Sequence, residues 1–285
     1  MVKDERNKGI LLSVLAALLW STGGLLVKLL PQDAFTILFY RSLYTSLFFL
    51  LYFGKKAFKI NKRSVLSACF YAPLLLCFVS STKMTTAANA IFLQSTGVAY
   101  VLLLEPLLLK TKLLKIDILT VILSFVGMAL FLIDGFEMSA TNPGIYIAML
   151  SGLALAGILI SQKSNTFEYQ TGGIFLGNIF VVLITSPWFF SNPLPTFQEN
   201  AMLLFLGFVQ LGLGFLLFTY GQKYITAIEG ALISLLEPLF NPLWVMIGYG
   251  EVPGFLPMTG GLIIIGALVV RLLYLRRLKL QAARL

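Results

Sequence analysis

The chain has 285 residues, 58% hydrophobic and only 12% charged, with a mean hydropathy of +0.91. That leaves too little polar surface for a soluble domain, where roughly 25% of residues are charged. The net charge of +9 would suit nucleic acid, but the basic residues fall in short loops and at the termini, so a lipid bilayer is the expected partner and nucleic acid is not.

The chain opens on MVKDERNKG, followed by ILLSVLAALLWSTGGLLVKLL. That apolar run is longer than the 7–15-residue core of a signal peptide and is read as a retained first helix. Further apolar runs follow, giving 9–30, 34–54, 64–82, 86–109, 115–133, 143–161, 171–190, 200–220, 226–249 and 254–275. Each is near the length that crosses a bilayer as a helix. The expected fold is therefore an all-α polytopic membrane protein with ten transmembrane helices.

With ten spans both termini share one side. Placing them inside puts 18 of the 21 basic residues in inner loops or termini, leaves Lys28 and Lys83 outside, and sets Arg41 within the second helix. The positive-inside rule then predicts cytoplasmic termini in the cytoplasmic (inner) membrane.

The chain also repeats itself. LLEPL occurs at 103–107 and 235–239, but that register would lay the basic loop 110–115 over the middle of a later helix. An offset of 140 instead matches Thr86-Ala87 to Thr226-Ala227 and Tyr100 to Phe240, while Gly9-Ile10 matches Gly144-Ile145. Two five-helix repeats follow, 1–140 and 141–285. Five is odd, so the halves enter the membrane from opposite sides, an inverted repeat that builds a substrate site at its interface.

The ninth helix, TAIEGALISLLEPLFNPLWVMIGYGE, carries Glu237 next to Pro238, with Asn241 and Pro242 one turn on. A carboxylate at that depth is expensive and marks a pathway or a partner. Glu237 and Asn241 are four apart and share a face, with Ser234 one turn earlier. Each proline removes a helical donor, freeing the carbonyls of Ser234 and Pro238. Glu237 is a ligand for a substrate amine or a proton carrier, weighed against polar glue bonded to Asn241.

Helix four offers Asn89, Gln94 and Tyr100, whose amides and phenol suit a zwitterionic or neutral substrate, weighed against interhelical bonding. Trp20 and Ser21 lie too deep in helix one for an interfacial belt, and Gln210 is mid-helix eight; all three are expected to face cavity or protein. Arg41 is read as structural, pairing with Glu105 or snorkelling. Gly173 and Gly177 form GxxxG, a packing signal within the fold or for a homo-oligomer.

The chain resembles the EamA-type transporters of the drug/metabolite transporter superfamily over essentially its whole length. The resemblance rests on Leu19-Trp20-Ser21-Thr22, Phe39-Tyr40-Arg41, Thr86-Ala87-Ala88-Asn89-Ala90 with Gln94-Ser95-Thr96, Leu217-Phe218-Thr219-Tyr220-Gly221, Glu229-Gly230-Ala231, and the string from Leu236 to Trp244. It implies two inverted five-helix repeats around a central cavity, and export of amino acids or other small metabolites. The Gly-Glu pair that commonly closes the fourth and ninth helices is present as Gly250-Glu251, whereas the first half has Lys110-Thr111.

Histidine is absent, and Cys69 and Cys77 stand about 12 Å apart along one helix, so neither metal, cofactor nor disulfide is expected. No phosphate-binding GxxxxGK[ST] loop and no HExxH or GxSxG motif occurs, which argues against nucleotide hydrolysis and against an enzyme. A secondary carrier of a small molecule working by alternating access is the expected function, with a membrane scaffold as the alternative.

Overall fold

The computed structural model describes residues 3–109, 114–138, 142–162, 165–225 and 227–282, apart from some side chains within these ranges, Glu105 and Glu229 among them. The loop residues 110–113 and Thr226, both used in the sequence argument, lie outside them.

Ten rods run back and forth across one bundle, with no strand among the described residues. The first is α1 (Lys3–Ser21) continued by α2 (Gly23–Leu29). The second is α3 (Ala34–Phe53), extended by a 3₁₀ turn over Gly54–Phe58, and the third is α4 (Lys62–Met84). The fourth is α5 (Ala87–Ser95) with α6 (Gly97–Leu109), and α7 (Lys115–Met138), α8 (Pro143–Gln162) and α9 (Phe167–Ser191) are the fifth to seventh. The eighth joins α10 (Phe197–Leu204), a π-helical segment over Phe205–Leu213, and α11 (Gly214–Gln222). The ninth joins α12 (Ala227–Ser234) to α13 (Leu236–Tyr249), and α14 (Phe255–Ala282) is the tenth. Eight of the rods are long and apolar enough to cross a membrane on the described residues alone.

Helix starts are written in the sequence. The Asp33 carboxylate accepts from the amides of Phe35 (2.9 Å) and Thr36 (3.1 Å). Asn61 caps α4 through Ser64 N at 2.8 Å, Thr86 caps α5 through Asn89 N at 3.1 Å, and Thr196 with Glu199 forms a reciprocal box at α10. Each such cap contributes about 1 kcal/mol by satisfying an otherwise orphaned amide.

Inside a bilayer, apolar burial does not drive helices together, so close packing over small residues does. The fifth and tenth rods cross at Gly127 and Gly260, where an added Cβ would lie 2.7 and 2.6 Å from the facing glycine's carbonyl oxygen. The first and eighth cross the same way at Gly9 and Gly221. The GxxxG pair is spent within the fold as well. Gly173 lies against the Ser64 backbone and Gly177 against Tyr71, both on α4, so a homo-oligomer would need a different face.

The breaks in the fourth and ninth rods correspond. Adding 140 to the bounds of α5 and α6 (87–95, 97–109) gives those of α12 and α13 (227–234, 236–249) to within one residue. The register argued from hydropathy thus recurs in helix geometry.

Candidate functional site

Three rods are interrupted at mid-span by a single residue with ψ near −10°: Thr22, Thr96 and Leu235. The first two share a chemistry. Thr22 N bonds Leu19 O at 3.2 Å, its Oγ1 bonds the same carbonyl at 2.7 Å, and Thr96 repeats this with Leu93 O at 3.2 and 2.5 Å. A threonine bonded back to its own helix tightens it into a 3₁₀ step, and a glycine follows each time, Gly23 or Gly97. The third break has another cause. Pro238 has no amide hydrogen, so the Ser234 carbonyl loses its donor and the helix yields at Leu235.

That break fixes the setting of Glu237. The residue becomes the second position of a new helix, α13, whose free amides and dipole favour a carboxylate. Glu237 is partly buried, at mid-span. Its charge lies within electrostatic reach of the Arg41 guanidinium, yet among the described residues no ion pair joins them.

Glu237 and Asn241 do not bond to each other. Asn241 is fully buried, and neither atom of its amide has a partner. It packs instead on Gly24 in α2, where a Cβ would meet Asn241 Oδ1 at 2.3 Å. Ser234 lies before the break and returns its hydroxyl to Gly230 O at 3.0 Å.

The π-helical stretch of the eighth rod turns Gln210 inward. The amide is 3% exposed, donates from Nε2 to Trp20 O at 3.0 Å and accepts from Arg41 Nη2 at 2.9 Å. A Cβ on Gly23 would sit 2.8 Å from that same Nε2, so the missing side chain just after the break in the first rod is what lets Gln210 approach. Ser21, fully buried, donates to Leu18 O at 2.7 Å and accepts from Trp244 Nε1 at 2.9 Å. The Trp20 ring rests on Phe218 with centroids 5.1 Å apart.

Trp20, Ser21, Gln210, Glu237 and Asn241 are therefore gathered where the first, second, eighth and ninth rods meet. The other candidates are placed differently. Asn89 stands at the start of α5, bonded from Nδ2 to Thr85 Oγ1 at 2.9 Å, near the rod's end. Tyr100 turns its ring edge to Phe125 on α7 at 6.3 Å. Gln94 is half-buried with Oε1 unpartnered, two residues before the Thr96 break. Arg41, read from sequence as structural, is at the centre of the cluster. Tyr71 and Asn178, on the third and seventh rods, were not singled out; Asn178 Nδ2 lies 3.4 Å from the Tyr71 hydroxyl, and Tyr71 is in electrostatic contact with Arg41.

At the end of the bundle away from the termini, a second cluster seals the rods. Gly250 takes a left-handed conformation (φ 80°) that ends α13 and turns the chain, bringing Glu251 onto Lys28 at 2.6 Å. Glu251 also accepts from Ala87 N at 2.7 Å, and Lys28 donates to Thr85 O at 2.8 Å. The pair is only 11% and 15% exposed. Lys28→Met should therefore lower stability by about 2–4 kcal/mol, because it strands a nearly buried carboxylate. Adding Glu251→Gln should restore part of that loss, as thermal unfolding in detergent would record; additive losses would mean the two charges are not coupled.

Comparison with known proteins agrees with this architecture. A model of the EamA-like transporter family matches residues 7–133 and again 142–273. The pseudopaline exporter CntI of Pseudomonas aeruginosa, found in two strains, is 26% identical over 280 residues, covering 94% of this chain and 97% of the exporter. A protein of Archaeoglobus fulgidus described as an uncharacterized transporter is 23% identical over 261 residues, covering 90% of this chain and 93% of its own. A solved crystal structure superposes with a TM-score of 0.66 at 17% identity, over 95% of this chain and 99% of that one, a likeness of fold alone.

Proposed function

The chain belongs to the EamA-like transporter family, and on that premise we propose that it is a secondary exporter of small metabolites such as amino acids, working by alternating access between two inverted halves. A transporter is what the family and the curated relatives have in common. Export is supported by the relative named an exporter.

The observation that carries the site is the mid-span meeting of Gln210, Glu237, Asn241 and Arg41 beside two helix breaks and a π-helical stretch. Buried polar groups on broken helices near the midplane are what inverted-repeat carriers use to hold a substrate. Among the titratable groups at that depth, Glu237 is the proton-coupling candidate, since a chain without histidine must carry a proton on a carboxylate. Broken helices also supply the joints that a two-state motion needs.

The direct test reconstitutes the protein alone into liposomes and follows a panel of metabolites, with matched cells lacking and containing the protein screened for exported compounds. Flux of at least one metabolite above protein-free liposomes is expected. None in either assay would favour a scaffold or subunit.

For orientation, we place both termini in the cytoplasm. Lys55, Lys56, Lys59, Lys62, Arg63, Lys223, Arg276 and Arg277 all lie toward the end of the bundle that carries the termini. A reporter fused to the C-terminus should be active only in the cytoplasm; activity solely outside would reverse the topology and the direction assigned to export.

A further inference from the structure

Arg41 is 2% exposed and spends one bond, from Nη2 to Gln210. Its Nε and Nη1 nitrogens, also buried, have no acceptor among the described residues. An unsatisfied buried donor costs about 1–3 kcal/mol, and an uncompensated buried charge more, so the chain does not keep such a group for packing alone. The carboxylate at hand, Glu237, is close enough to interact with it electrostatically but does not close onto it. A guanidinium with unpaired buried donors thus lies within electrostatic range of a carboxylate to which it is not bonded.

A water admitted between the two groups would satisfy hydrogen bonds but neutralise neither charge. A ligand with a carboxylate at one end and an ammonium at the other does both. A planar guanidinium with several fixed donors suits a carboxylate better than a point charge does. Two more buried amides with unpartnered atoms belong to the same cluster: Asn178, which reaches the Tyr71 hydroxyl, itself in electrostatic contact with Arg41, and Asn241, one turn after Glu237.

We propose that Arg41 is the carboxylate anchor of the transported molecule, a small zwitterion of the α-amino acid type whose ammonium group faces Glu237. This rests on the carrier reading and deepens it. Gln210 is then a positioning residue: bonded to both Arg41 and the Trp20 carbonyl, it ties the anchor to the broken first rod. Binding at Arg41 is thereby coupled to the part of the fold most able to bend.

The test is thermal unfolding of the detergent-solubilised protein with two probes, an equimolar mixture of the twenty standard amino acids and the mixture of their α-amides, with liposome flux of the same compounds. The amides keep the ammonium and side chain and lack the carboxylate. The wild type should respond to the acids at concentrations about 10- to 100-fold lower than to the amides, the range of a hydrogen bond to a charged group. In Arg41→Gln that ratio should collapse toward one, and Arg41→Lys should fall between.

Should Arg41→Gln fail to fold, Gln210→Glu supplies an internal carboxylate beside Arg41 and should likewise erase the preference for acids. Equal wild-type responses to acids and amides would overturn the proposal. So would a folded Arg41→Lys or Gln210→Glu that keeps the wild-type ratio, or flux of other metabolites without any acid-specific stabilisation. Acid-specific stabilisation without flux of any compound would uphold the site and overturn the carrier reading.

Discussion

Glu237→Gln should reduce export driven by a proton gradient to the level of protein-free liposomes, while exchange of labelled for unlabelled substrate continues. Glutamine has the shape and the hydrogen-bonding groups of the protonated acid, so it mimics one end state of a proton carrier without removing volume. The residue makes no hydrogen bond to a described partner that the change would break, and Asn241, its neighbour one turn on, is not bonded to it. It lies in the first turn of α13, directly after the break at Leu235, so gaining or losing charge there alters the electrostatics of a helix end. Gradient-driven export that survives the substitution would show that Glu237 does not carry the proton. Loss of folded protein would make the acid structural instead, and loss of exchange together with driven export would show that its contact with the substrate ammonium, not proton carriage, is what transport depends on.

Gly172→Ala should deplete folded protein from the membrane, although it adds one methyl group. A Cβ on Gly172 would lie 2.0 Å from the carbonyl oxygen of Lys59 and 2.9 Å from its carbon, both backbone atoms with no rotamer to escape by. The segment carrying Lys59 cannot simply retreat. Lys59 pairs with Glu168, Asn61 Nδ2 bonds Asn165 Oδ1 at 2.9 Å, and Ser64 Oγ bonds Tyr169 O at 2.8 Å. Relief would mean lifting the whole connection between the second and third rods off the start of the seventh. Overpacking of a well-packed contact costs about 1–3 kcal/mol, and this contact belongs at or beyond the upper end. Gly266→Ala is the control, since nothing lies within 4 Å of a Cβ there. Equal yields and unfolding temperatures for the two variants would show that the Lys59 segment is looser than its bonds imply.

Hydropathy made the ten rods legible, because a bilayer leaves the backbone few alternatives to long apolar helices. The repeat was legible once loop charge was allowed to reject the tempting LLEPL register. The weak point of the ninth rod was legible too, since proline removes a donor wherever it stands. What escaped was partnership across rods. Spacing by four placed Glu237 and Asn241 on one face, but Gly24 on a different rod draws Asn241 to itself, and nothing in the local pattern of either stretch announces that. Arg41 reads from sequence as structural, pairing with Glu105 or snorkelling, whereas its bond to Gln210 spans 169 positions of chain. The π-helical stretch that aims Gln210 is equally silent in the sequence, which there reads as an ordinary apolar run with two glycines.

The Gly127–Gly260 crossing has a consequence for how the molecule moves. The fifth and tenth rods hold equivalent places in the two family-matched halves, so exchanging the halves maps this pair of rods onto itself. Contacts such as first-with-eighth have no such privilege: their counterparts are made by different rods. If the inward- and outward-facing forms arise by each half adopting the other's shape, contacts of that second sort must be traded, whereas the fifth–tenth seam can stay shut throughout. Two backbones touching without side chains between them then act as a fulcrum, stiff in separation and free to tilt.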